Sequence, residues 1–248
     1  MSQTPLSDRI ALVTGASRGI GHAAALALAK AGAHVVAVAR TQGALEALDD
    51  EIKAATDRAA TLVPMDIAEA DGLDQLALAI HQRFGRLDIL VHAAAMLGPM
   101  TPMAHIEPKH WDKVVALNLT ASYRLIRAVE PLLRASEHPR AIFLTSGRAI
   151  RPKAFWGPYG VTKAGLEHMV RTWADELEQT KVRAVLLDPS VMCTRMRAEA
   201  MPGEDPATLP DPSEIGPLVV ELAQADLGKP AASVVFSDWK RAGTLASA

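Results

Sequence analysis

Tyr159 and Lys163 stand four residues apart in a segment that reads as a helix opening at Pro158. At that spacing two side chains share one helix face, about 6 Å apart along the axis. An ammonium beside a phenol stabilises the phenolate, so it would draw a tyrosine from its ordinary value near ~10 toward the range in which it exchanges protons with a substrate. Y-x-x-x-K also occurs by chance, and a third residue sharpens the pattern. Ser146 follows the apolar run Ala141–Thr145, thirteen positions before Tyr159, at the carboxyl end of a strand, where open α/β sheets bind ligands. Its hydroxyl is suited to bond a substrate oxygen. A phenol, an ammonium and a hydroxyl around one oxygen are what proton transfer at an alcohol or carbonyl requires.

A second group of residues suits phosphate. Thr14-Gly15-Ala16-Ser17-Arg18-Gly19-Ile20-Gly21 lies between an apolar, β-branched run and a helical segment. A Cβ at these glycines would obstruct the tight turn, the approach of a pyrophosphate to backbone N–H groups, or the packing of helix on strand. The spacing is G-x-x-x-G-x-G, not the commoner G-x-G-x-x-G, and the alternative is an ordinary glycine-rich turn. The next apolar run ends in Ala39 and Arg40, where a dinucleotide site usually carries an acid for the ribose 2′-hydroxyl. Arg40 with Arg18 could instead bracket a 2′-phosphate, which favours NADP(H) over NAD(H); otherwise both are solvated surface cations.

These residues need a scaffold that brings them to one edge. Ile10–Thr14, His34–Val38, Ala60–Met65, Leu87–Val91, Ala141–Thr145, Val182–Leu187 and Ser233–Phe236 read as strands. They alternate with helical periodicity over Ile20–Ala31, Ala44–Ala55, Leu73–Phe84, Pro108–Ala135, Pro158–Gln179 and Pro212–Ala225. The alternation predicts an α/β fold: a Rossmann-type, doubly wound parallel sheet of about seven strands with helices on both faces. No linker divides residues 1–248, so a single domain is expected, with a substrate lid over 192–212, where Pro and charged residues cluster, and a frayed tail over 237–248.

With 49% hydrophobic and 22% charged residues, a chain of 248 can bury roughly 70–75% of its unfolded surface. The 26 basic and 28 acidic residues leave a net charge of −2, which argues against nucleic acid or an anionic membrane as the main partner. Ala23–Ala39, the most apolar stretch, holds Lys30, Gly32 and His34 and is too short to span a bilayer. The lone Cys193 cannot form an internal disulfide and Met1 to Arg9 lacks a leader pattern, so the cytoplasm is the expected compartment. The eight histidines show no paired ligand spacing, so no metal is expected, and His105 and His110 read as surface or capping residues. Met96, Met100, Met103, Met192 and Met196 read as an adaptable apolar pocket wall or as core fillers, and Trp156 as a pocket or a core residue.

Thr14–Gly21, Asn118, Ser146 and Tyr159-Gly160-Val161-Thr162-Lys163, in this order and spacing, resemble the short-chain dehydrogenase/reductase (SDR) family from about Asp8 to Phe236. Met196–Pro202 followed by Glu204-Asp205-Pro206 is similar to the YciK-like branch of bacterial oxidoreductases. The resemblance implies that Tyr159 is the general acid/base, that Ser146 orients the carbonyl, and that Lys163 holds the nicotinamide ribose while lowering the tyrosine pKa. Asn118 would complete the set, interrupting a helix to hold a water that links Lys163 to solvent; its alternative is a buried amide bonded to backbone. Cofactor contacts are implied for Gly15, Ser17, Arg18, Gly19, Ile20, Gly21, Arg40, Asp66, Ile67, Ala93, Ala94, Pro189 and Thr194, besides Tyr159 and Lys163. Among them Asp66 would meet adenine or cap a helix, and Thr194 would meet the carboxamide.

Two departures from the family pattern stand out: His92-Ala93-Ala94-Ala95 replaces N-N-A-G, and Ser190 replaces the glycine after Pro189. Each adds a Cβ near the dinucleotide, which costs ~1–3 kcal/mol where the site cannot relax. The implied activity is hydride transfer between NADP(H) and a small carbonyl or alcohol substrate. The alternatives are a catalytically silent dinucleotide-binding regulator and a same-fold epimerase or dehydratase. Pro108–Ala135 and Pro158–Gln179 lie where relatives pair their helices, which implies a homodimer or homotetramer.

Overall fold

The computed structural model describes residues 4–69, 71–228 and 231–245. Seven strands, β1 (Ile10–Thr14), β2 (His34–Ala39), β3 (Thr61–Pro64), β4 (Ile89–His92), β5 (Arg140–Leu144), β6 (Arg183–Asp188) and β7 (Ala231–Val235), form one sheet in the order β3-β2-β1-β4-β5-β6-β7. Every pairing is parallel. The helices between and after them are α1 (Gly19–Lys30), α2 (Gln42–Thr56), α3 (Gly72–Phe84), α4 (Pro108–Val115), α5 (Ala121–Arg134), α6 (Gly157–Glu176), α7 (Arg195–Ala200), α8 (Gly216–Gln224) and α9 (Phe236–Ala242).

Strand residues alternate between two cores. Ala11, Val13, Val35, Ala37, Val91 and Leu187 pack under α1, α2 and α8, while Leu12, Val36, Val38, Leu90 and Phe143 pack under α3, α5 and α6. Each such side chain, fully buried, contributes about 1.5–3 kcal/mol, and a sheet covered on both faces has no use for polar positions in its middle strands. The order of strands reverses between β1 and β4, which opens a crevice at their carboxyl ends. There Thr14 lies beside His92 in register.

Two elements differ from the sequence pattern. The long segment from Pro108 is divided by a π-turn, Ala116–Thr120, between α4 and α5. The tail expected to fray carries α9, because Phe236 and Trp239 turn one face inward. The Trp239 indole N–H donates to Glu221 at 2.7 Å and the Leu245 N–H to the same carboxylate at 2.9 Å, tying the tail to α8; positions 246–248 lie outside the described residues. Within 192–212, α7 is followed by a short 3₁₀ turn, and Arg197 grips Glu204 through two bonds of 2.5 and 2.7 Å. Among the described residues no helix is long and apolar enough to cross a membrane.

Candidate active site

The glycine loop carries the chain from β1 into α1 over the crevice. Gly15 (φ 70°) and Gly19 (φ 57°) occupy the left-handed region, where a side chain is strained. A Cβ on Gly15 would lie 2.8 Å from the Ala94 backbone, and one on Gly21 would lie 2.3 Å from the Gly15 carbonyl oxygen, so these two let strand and helix close together. Gly19 differs: the nearest atom to a Cβ there is the Thr194 methyl at 3.5 Å, so its bareness keeps a floor open rather than a contact tight. Arg18, the N-cap of α1, makes no side-chain cap bond. The first N–H groups of α1 therefore carry no side-chain cap, at the positive end of the helix dipole.

From this loop a cleft of about 1650 Å³ runs to Tyr159 and Lys163, above the 300–1,000 Å³ typical of a single ligand. Ser17, Arg18, Ile20, Arg40, Asp66, Ile67, Ala93, Ala94, Pro189 and Thr194 line it together with Gly15, Gly19 and Gly21. Ser146 and Asn118 are not among the residues of its wall; Ser146 lies beside the phenol and Asn118 bonds Thr162.

Tyr159 and Lys163 are both buried on α6, with the ammonium 5.9 Å from the centre of the phenol ring. Lys163 Nζ donates to the Leu144 carbonyl at the end of β5, at 2.6 Å. Ser146 lies beside the phenol, and its hydroxyl accepts the Arg148 N–H at 3.2 Å. Burial pushes Tyr159 up to about 12, against the lowering effect of the nearby Ser146 hydroxyl, and the charge of Asp188 adds to the rise. Burial likewise drives Lys163 down to about 8, with Glu167 opposing. The lowering expected from the ammonium helped by an oxidised nicotinamide is therefore not the work of the ammonium alone: in the protein itself burial raises the tyrosine. Desolvation outweighs a charge that is turned toward the Leu144 carbonyl, and the phenol keeps its proton at neutral pH.

Asn118 sits in the π-turn, a helix irregularity frequent at functional sites. Its amide forms a reciprocal pair with the Met96 backbone, 2.9 Å in each direction, and donates to Thr162 Oγ1 at 3.1 Å. This is the backbone-bonded arrangement that the sequence left as the alternative.

Arg40 lies 3.7 Å from Asp66, whose other oxygen accepts the Ala68 N–H at 3.0 Å. Asp66 thus closes a turn after β3 and faces Arg40; the N-cap of α3 is Asp71. Thr194 caps α7 by accepting the Arg197 N–H at 3.1 Å. Ser190 (φ 61°) does not intrude on the dinucleotide side as expected. It turns to a shallow hollow beside Phe236 and Lys240, its N–H donating to Asp188 at 2.9 Å and its hydroxyl accepting the Ser237 N–H at 3.1 Å.

Beyond the phenol, Met100, Trp156, Met196 and Met201 pack on Leu97, Tyr159 and Ala200 to form an apolar wall. Of the methionines read as pocket residues, Met192 is instead buried in the core under α1 and α8, and Met103 lies exposed against Gly157. His105 and His110 are exposed. The sequence gives no role to Leu97, Ala200 or the Leu144 carbonyl, and it gives Thr162 only as part of the Tyr159–Lys163 motif. A backbone carbonyl has no signature there, and Thr162 is recognisable only once the π-turn is known to face α6.

A sequence model of the family described as short chain dehydrogenase matches residues 9–205. The chain is 36% identical over 226 residues to the uncharacterized oxidoreductase YciK of Escherichia coli (strain K12), covering 90% of this chain and 89% of that protein. It is similar to a short chain dehydrogenase from Shigella flexneri 2a str. 301 complexed with NADP, at a TM-score of 0.90 and 34% identity over 95% of this chain and 100% of that one. A short chain dehydrogenase from Escherichia coli CFT073 complexed with NADPH gives 0.89 and 34%, over 94% of this chain and 98% of that one.

Proposed function

The chain belongs to the short-chain dehydrogenase family, and from that premise we propose that it is an NADP(H)-dependent oxidoreductase moving hydride between nicotinamide C4 and the carbon of a carbonyl or alcohol. One observation carries this: a protonated phenol and an ammonium line one end of a cleft, with the Ser146 hydroxyl beside the phenol, and the other end of the cleft is a helix start without a side-chain cap.

The dinucleotide, when bound, supplies or accepts the hydride. The bare N–H groups at the start of α1 would hold its pyrophosphate, with Arg18 and Arg40 for a 2′-phosphate and Thr194 for the carboxamide. Arg40 would then share its charge between the phosphate and Asp66. The NADP and NADPH complexes of the two structural relatives support this choice. Ser146 holds the substrate oxygen, and Tyr159 gives the developing alkoxide a proton, or takes one from an alcohol in the opposite direction. Lys163 stabilises the phenolate left behind and has donors to spare for ribose hydroxyls. The methionine-rich wall, part of it from the lid segment 192–212, suits a carbonyl on an apolar body. Pairing through α5 and α6 would make a homodimer or homotetramer, which light scattering tests.

Turnover decides the reading. Mixed with ketones and aldehydes, the purified protein is expected to oxidise NADPH with a lower KM than NADH. Nucleotide binding without turnover on any carbonyl or alcohol would leave a silent binder. Net conversion without net change in nicotinamide absorbance would point to an epimerase or dehydratase.

A further inference from the structure

His92 is buried at the carboxyl end of β4 and takes no part in the chemistry above. Its ring is bonded on both sides: Nδ1 lies 2.8 Å from Thr14 Oγ1 on β1, and Nε2 lies 2.9 Å from Ser122 Oγ on α5. Ser122 in turn donates to the carbonyl oxygen of Asn118 at 2.8 Å.

The direction of every bond in this chain is determined. Ser122 has one hydroxyl proton and a carbonyl cannot supply one, so that proton goes to Asn118 and the serine oxygen must accept from His92. Nε2 therefore carries the hydrogen. Burial, with the charge of Lys163 adding, holds the imidazole down to about 3, so the other nitrogen is bare and accepts from Thr14. The Thr14 oxygen is left free to accept, and the Ala94 N–H reaches it at 3.4 Å. Ala94 is the residue whose backbone closes on Gly15.

We infer that His92, fixed as its Nε2–H tautomer, is a positioning residue that ties the root of the glycine loop to the π-turn carrying Asn118. A planar ring with nitrogens on two sides reaches from the sheet to a helix, so one residue sets the distance between the nucleotide cradle and the π-turn whose Asn118 bonds Thr162 on α6. The departure from the family pattern at this position is then a substituted link rather than a missing one. The Phe143 ring packs against the imidazole edge to face, with centres 5.7 Å apart.

The kinetic arm of the test rests on the proposed oxidoreductase reading; the other two arms do not. In the intact protein, long-range ¹H–¹⁵N correlation should show His92 as the Nε2–H tautomer and unchanged from about pH 5 to 9. His92→Phe keeps a ring against Phe143 but has no nitrogens. At a temperature where it is folded it should raise the Kd for NADPH and lower kcat/KM by about tenfold or more, and His92→Gln, with an amide N–H near Nε2, should recover part of the loss. Ser122→Ala, a mild change on a helix, should shift the His92 ring resonances and weaken NADPH binding in the same direction, and it decides the matter if His92→Phe does not fold. An Nδ1–H tautomer, a His92 that titrates in that range, or variants with a lowered Tm but unchanged Kd and kcat would each overturn the inference. If the wild type turns over no carbonyl, the oxidoreductase reading fails while the tautomer and the NADPH Kd still judge His92.

Discussion

Asp88 and Lys163 are both buried, 2% and 4% exposed, at opposite edges of the same sheet, and the fold treats them differently. At the amino edge, Asp88 receives the Ile10 N–H at 2.8 Å, the Arg86 guanidinium at 3.2 Å on each oxygen and the Ser136 hydroxyl at 2.5 Å. At the carboxyl edge, among the described residues, Lys163 gives one hydrogen bond to a carbonyl and is pushed down to about 8 by burial. The first charge is saturated and locks β1, β4 and the end of α5 together. The second keeps donors in reserve beside a cleft. Buried charges left with capacity mark sites of binding, while saturated ones mark anchors.

The largest expected effect is at the reactive edge. Tyr159→Phe should lower kcat by about 10²–10⁴-fold while calorimetry finds Tm nearly unchanged, because the ring and its packing on Trp156 remain. An unimpaired rate in this variant would erase the contrast between the edges. Asp88→Ala should do the reverse, removing about 3 kcal/mol of stability, or about 6–12 °C in Tm, with kcat preserved where the variant is folded. A selective loss of kcat there would show that the anchor also serves the chemistry.

A third comparison uses pH. The Lys163 amine falls from 10.5 unfolded to about 8 folded, so between those values the unfolded chain binds more protons. The burden of burying the ammonium, about 3 kcal/mol as an order of magnitude, is complete below pH 8 and is relieved as pH rises toward 10.5. Chemical denaturation should show wild type gaining stability relative to Lys163→Met across that window; a flat difference would mean that Lys163 is better satisfied than its single bond suggests. The smallest effect is at the rim: Arg40→Ala should raise KM for NADPH by about tenfold and leave that for NADH nearly unchanged. An NADPH preference that survives the substitution would remove Arg40 from 2′-phosphate recognition.

The parts of the site that rest on local periodicity were legible in the chain. Tyr159 and Lys163 share a face because 3.6 residues make a turn, and Ser146 falls at a strand end because an apolar run stops there. The strands were legible because a sheet covered on both faces writes itself as β-branched runs between helical stripes. Contacts between distant segments were not legible. Nothing at Leu144 announces a carbonyl for Lys163, Met192 cannot be told from a pocket methionine until α8 packs over it, and α9 is held because Phe236 and Trp239 pack inward and Glu221 on another helix accepts from the Trp239 indole.

Sequence by itself determined which groups are present and the short-range spacing that gives them one helix face or one strand end, since those follow from backbone geometry that any such chain obeys. Tertiary structure alone decided their electrostatics and alignment: that burial raises the Tyr159 phenol and lowers the Lys163 amine, that Ser190 turns from the cleft, and that His92 links Thr14 to Ser122. Desolvation and hydrogen-bond direction depend on what surrounds a group in space, and that environment exists only once segments far apart in the chain have packed.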